Sequence, residues 1–178
     1  MILRITGKLA SKINVKPHAD VPSAENPFVE WAANLVEIRR KNFILLTHAT
    51  TFYSTLFPAG RLGNMGTFAV RLIETLAVVL HEQKLGHVFD QLIVPDLKPF
   101  LYATCPDRTL IGRMRQVLTL ARDMDDVALS TPYWPTTFLN SIVYTPETGL
   151  CPASVFTAAI PPDCEPGPDP EPDASFSA

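Results

Sequence analysis

The run WAANLVEIRRKNFILLTHATTFYSTLF, residues 31–57, constrains the fold more than any other stretch, because two β-rich arms flank a short polar break. In the first arm Val36 and Ile38 share one face while Leu35, Glu37 and Arg39 take the other, the period of a strand. RRKN at 39–42 reads as the turn of a hairpin. FILL beyond it is continuously apolar, as a strand central in a sheet is. The run TTFYSTLF is a further strand or the approach to the next loop.

The flanking segments supply helices. MILRI reads as a strand, after which Thr6 is placed to cap a brief helix with Leu9 and Ile13 on one face. Residues 16–29 hold three prolines and scattered charges and should form a surface loop. Thr67 is positioned to cap the longest helix, which ends at Gly86. Its stripe of Phe68, Leu72, Leu76 and Val79, widened by Ile73 and Leu80, should pack on the sheet. A short amphipathic piece at 87–94 stops at Pro95, and PFLYATC is another strand. Asp107 then opens a helix that buries Leu110, Ile111, Met114, Val117, Leu118 and Ala121 and turns Arg113 and Arg115 outward. A short helix near 136–140 and an edge strand at 141–144 complete the pattern.

These elements predict one compact α+β domain over residues 1–145, a mostly antiparallel sheet packed by two main amphipathic helices. Residues 146–160 should be an irregular segment. Residues 161–178, proline-rich, acidic and almost without apolar side chains, should be a disordered tail, because so little apolar surface cannot offset the ordering entropy.

Charge and cysteine content narrow the function classes. The net charge is −3, but five of the 18 acids (Asp163, Glu165, Asp169, Glu171 and Asp173) lie in the tail with no Lys or Arg, so the body is slightly basic. That is far from the marked basic excess of a domain that grips nucleic acid mainly by charge. The three cysteines, Cys105, Cys151 and Cys164, have no metal-type spacing and read as free thiols in a reducing cytoplasm. Arg4, Lys8 and Lys12 interrupt the start before an apolar run of leader length appears, and no stretch approaches the roughly 20 apolar residues of a membrane span. A cytoplasmic protein without cofactor or metal is expected.

Catalytic motifs are weak. His81 and His87 are six apart with Gly86 between them, whereas a zinc helix needs histidines four apart on one face. Ser54, Ser130 and Ser141 lack a nucleophile-elbow context, and GRLGN lacks the lysine of a phosphate loop. Cys105, just ahead of a helix N-terminus, offers a thiolate in principle, with His48 as a distant partner. Phe52, Tyr53 and Tyr102 together with Arg39, Arg40 and Lys41 have the mixture of a sheet that stacks single strands. Asn34 and His48 each interrupt an apolar strand; on one face they would make a polar spot. More commonly such side chains satisfy backbone groups or buried water.

Three segments, MILRITGKLASKINV, WAANLVEIRRKNFILLTHATTFYS and DRTLIGRMRQVLTLA, with FLN at 138–140, are similar to a bacterial family catalogued only as a domain of unknown function. The matching positions are Arg4, Thr6, Lys8 and Leu9; Trp31, Ala33, Asn34, Leu35, Arg39 and Arg40; and Arg108, Gly112 and Met114. Thr109 stands where the family has serine, and Arg115 where it has asparagine. The resemblance spans roughly residues 1–140 and implies a compact α+β domain from a prokaryote or phage. It singles out Arg108 over Arg113 as the arginine with a defined partner.

The expected function is a non-enzymatic module that binds a protein partner through the hairpin face and the acidic tail, in a defence, antidefence or toxin-neutralising setting. The alternative is RNA binding or cleavage, with Arg39, Arg40, Lys41 and Arg108 on phosphates and His48 moving the proton. The candidate binding residues are Asn34, Arg39, Arg40, Lys41, His48 and Arg108. Convergence of the arginines on one patch would favour an anionic ligand.

Overall fold

The computed structural model describes residues 1–105, 107–142 and 149–166. The hairpin is its frame. Strands β2 (Glu30–Ile38) and β3 (Lys41–His48) pair antiparallel with Val36 opposite Phe43 and Trp31 opposite His48. The turn is tighter than the four polar residues predict, because Lys41 and Asn42 pair with Ile38 and Glu37 as strand residues. Only Arg39 and Arg40 remain to reverse the chain, with φ of 50° and 64°. Those angles belong to the left-handed pair that matches the twist of a hairpin, a conformation that costs a non-glycine residue about 1 kcal/mol.

Strand β4 (Ser54–Pro58) adds to β3 antiparallel, so the third β-rich run is a strand. On the other side of β2, strand β1 (Ile2–Ile5) pairs parallel with β2 and with β5 (Leu101–Thr104), giving the order β4-β3-β2-β1-β5. The domain is therefore α+β around a mixed sheet. Parallel pairing needs long crossovers, and the brief helix α1 (Gly7–Lys12) with the proline-rich loop supplies the first of them.

Helices cover both faces. On one lie Leu3, Ile5, Trp31, Ala33, Leu35, Ile44 and Leu46, packed by α1, by α2 (Met65–Glu82) and by the short turn α3 (Gly86–Val88), which runs on irregularly through Phe89–Asp96. On the other, Ala32, Val36, Ile38, Phe43, Leu45 and Leu56 meet Leu110, Met114, Val117 and Ala121 of α4 (Arg108–Arg122) and Leu139 of α5 (Tyr133–Ser141). This two-sided burial is why FILL carries no polar alternation.

Capping follows the sequence at one helix and departs from it at two. The Asp107 carboxylate accepts from the backbone N–H of Thr109 (2.7 Å) and Leu110 (3.3 Å), opening α4 as expected. For α2 the cap is Asn64, three residues before the Thr67 that periodicity indicates; its side-chain oxygen accepts from Gly66 and Thr67 N–H, each at 3.0 Å. Thr6 precedes α1 without capping it, because its hydroxyl donates to Asn34 Oδ1 at 2.9 Å.

Both sheet edges are closed locally. His18 bridges to the outer side of β5, giving its N–H to Tyr102 (2.8 Å) and accepting from Thr104 N–H (2.9 Å). At β4 the side-chain amide of Asn140 takes the place of a strand, accepting from Ser54 N–H and donating to Ser54 O, both at 2.7 Å. Residues Pro152–Ala158, within the segment expected to be irregular, form helix α6, with Pro152 in its first turn and Phe156 buried. Of the edge strand expected at 141–144, Ser141 ends α5 and residues 143–144 lie outside the described residues. So do 167–178 of the tail.

Candidate interaction surface

His48 and Asn34 do not share a site. Trp31 is the register partner of His48 and Leu45 that of Asn34, so the two polar side chains leave opposite faces of the sheet. His48 is fully buried between Phe28, Trp31 and Phe156, with ring centroids at 5.7, 5.0 and 5.2 Å. Its Nε2 lies 2.8 Å from Pro27 O, which can only accept, so Nε2 carries the proton and Nδ1 accepts from the Thr51 hydroxyl at 2.8 Å. Burial lowers its pKa to about 4, against the opposing pull of the Pro27 carbonyl and the Glu30 charge. At neutral pH this imidazole is uncharged and sealed from water.

The basic residues also separate. Arg39 and Lys41 reach Asp126 at 3.7 and 3.1 Å, surface pairs of small energetic weight. Asp126 follows the last turn of α4 and Arg108 begins that helix, so the two groups stand at opposite ends of 15 residues, about 22 Å at 1.5 Å per residue. Arg108 is exposed and has no hydrogen-bond or ion-pair partner among the described residues. It is Arg113 whose partners are defined, with its guanidinium 5.4 Å from the centre of the Phe52 ring and 3.1 Å from Gln116 Oε1. Tyr53 and Tyr102 are buried, and the half-buried Phe52 ring lies under the Arg113 guanidinium. The Cys105 thiol lies on the sheet face opposite His48, and burial pushes its pKa up rather than down.

A polar cleft of about 430 Å³ lies where α4 begins, lined by Arg4, Ser23, Glu30, Thr50, Asp107 and Leu110 among others. Its floor is a buried ion pair, Arg4 Nε to Glu30 Oε1 at 2.5 Å. Arg4 also donates to Val21 O (3.1 Å), and Glu30 Oε2 accepts from Ala24 N–H (2.9 Å). These charges are spent on each other and on the proline-rich loop, which they clamp to the sheet. A pair so satisfied fixes a conformation more than it awaits a ligand.

The least satisfied surface is apolar. After α4 the chain turns through Val127, 78% exposed, and enters α5, where Tyr133, Trp134 and Phe138 are 38%, 59% and 45% exposed. Trp134 and Phe138 stand four apart and share the outward face of α5, while Thr136, Leu139 and Asn140 point inward. They line a groove of about 350 Å³ with Asp123, Met124, Asp125 and Ala128. Asp126, next to Asp125 of the lining, ties this patch to the hairpin tip through Arg39 and Lys41. Sequence reading missed it, although the i, i+4 aromatic pair in YWPTTFLN was the available signal.

No helix among the described residues is long and apolar enough to cross a membrane. Comparison with curated proteins and with solved structures gives no match. A family model described as a domain of unknown function (DUF6933) matches residues 2–152, and the chain belongs to that family.

Proposed function

We propose that this protein is a non-enzymatic protein-interaction module whose contact surface is the α4–α5 groove with the adjoining hairpin tip. The observation that carries the reading is the exposed Trp134–Phe138 pair over an apolar groove, since aromatic side chains set in a pocket dominate binding energy at interfaces. Asp123 and Asp125 on the rim call for a partner segment with an apolar anchor beside basic side chains. Such a module suits a toxin-neutralising or defence role in a prokaryotic or phage setting, and three free cysteines suit a reducing cytoplasm. The test is affinity capture from host lysate with the full-length chain and with the Trp134→Ala, Phe138→Ala double variant. A stoichiometric protein held by the first and lost by the second is expected. Equal recovery on both would sink the reading.

A second reading, RNA binding, draws support from the hairpin tip, where exposed Arg40 stands beside Arg39 and Lys41. It predicts RNA affinity that falls steeply with salt and vanishes in an Arg39→Ala, Arg40→Ala variant. His48, buried and neutral, has no place in it.

A further inference from the structure

Four aromatic rings of the family domain, Phe28, Trp31, His48 and Tyr53, surround a fifth that arrives from outside the family match. That fifth ring is Phe156 of α6, fully buried, with its centroid 4.6 Å from Tyr53, 5.2 Å from His48, 5.4 Å from Phe28 and 6.4 Å from Trp31. The match ends at residue 152, where α6 begins. Two of the walls satisfy their ring nitrogens without α6: His48 through Pro27 and Thr51, and the Trp31 indole N–H through Phe28 O at 2.8 Å. A socket formed in this way is preorganised. The segment 149–166 behaves like a ligand on it. Its buried side chains are Pro152, Phe156 and Cys164, and its polar ties to the domain include Gln91 Nε2 to Glu165 O at 2.9 Å. One aromatic anchor on a short helix, beside Val155 and among the small side chains Ala153, Ser154, Thr157 and Ala158, fits the helix-in-groove mode of recognition.

We infer that this aromatic socket is a docking site for a partner helix carrying one phenylalanine among small residues, and that α6 occupies it in cis as a displaceable plug. The plug sets the apparent affinity for any such helix, because only chains with α6 released are competent to bind. This site is distinct from the Trp134 groove and stands or falls separately from it.

The experiment uses the full-length chain and a labelled peptide of residues 149–166 as the probe. A Phe156→Ala chain, with its own anchor removed, should bind the peptide about 10-fold more tightly than the wild-type chain does. A peptide carrying Phe156→Ala should bind neither. A folded Phe156→Ala chain that ignores the peptide overturns the inference. So does a variant that fails to fold, since a docked helix can be lost without the domain. Hydrogen exchange on the wild-type chain decides independently: amides of α6 should exchange about 100-fold faster than those of β2 and β3 through local release. Equal rates would make Phe156 an ordinary core residue. Wild-type chains that dimerise with concentration by exchanging α6 would assign the socket to a second copy and overturn the partner-helix assignment. Loss of captured protein in the Trp134 variant, by contrast, reports on the groove alone.

Discussion

Two aromatic clusters on this domain have similar chemistry and opposite fates. Phe28, Trp31, His48, Tyr53 and Phe156 interlock with the ring nitrogens of Trp31 and His48 hydrogen-bonded, whereas Tyr133, Trp134 and Phe138 keep much of their surface in water. The difference is not hydrophobicity but whether the chain supplies a cover. In the first cluster α6 does so; over the second nothing among the described residues does. Stability should therefore be concentrated in the first cluster, and open contact surface in the second.

The largest effect that would sharpen this contrast is on Trp31. Trp31→Ala should cost about 3–5 kcal/mol in urea unfolding, the usual penalty for emptying a large core site. A loss below about 1 kcal/mol would show that the first cluster is loosely packed.

Next comes the pH dependence of His48. Its folded pKa, about 4, lies below the ordinary 6.5, so the unfolded chain binds the extra proton. The contribution is fully present above pH 6.5 and is lost as pH falls toward 4, about 3 kcal/mol in all. Urea midpoints between those limits should fall for wild type, and a His48→Gln chain should lack that component. An unchanged slope in the variant would place the titration elsewhere.

Asn140→Ala should cost about 2 kcal/mol, because it strips both partners from the buried backbone of Ser54 at the sheet edge. Asn140→Asp restores only the acceptor and should recover only part of the loss. The smallest effect belongs to Trp134→Ala, which should leave stability within about 0.5 kcal/mol of wild type. A much larger loss by calorimetry would mean that the second cluster is core after all, and would erase the contrast.

Much of the frame could be read from local pattern. The hairpin, the buried stripes of α2 and α4, the Asp107 cap and the helix ending near residue 140 each rest on contacts within a few residues, where periodicity and capping chemistry act. Even the separation of Asn34 from His48 was implicit, since a hairpin turn of two or four residues puts them on opposite faces. The rest depends on distant partners. Arg4 reads as a polar interruption of a strand until Glu30 comes beside it, and Thr6 reads as a cap until Asn34 takes its hydroxyl. Phe156 stands in a stretch of Ala, Ser, Thr and Pro whose periodicity is too short to announce a helix, and its aromatic neighbours lie more than 100 residues earlier. The proposed surface was legible only in part: the hairpin cations stand out in the sequence, whereas the exposure of Trp134 and Phe138 depends on what the rest of the chain leaves uncovered.

The parallel pairing of β1 with β5 bears on the order in which the domain can be made. β1 is the first strand of this domain to leave the ribosome, and the β4-β3-β2-β1 part of the sheet can form once residue 58 has emerged. Its other side faces Leu101–Thr104, so until those residues are synthesised the oldest strand is an unpaired edge bearing Leu3 and Ile5. Closure of the sheet is a late event of biosynthesis, and the nascent chain is most open to wrong partners between the two.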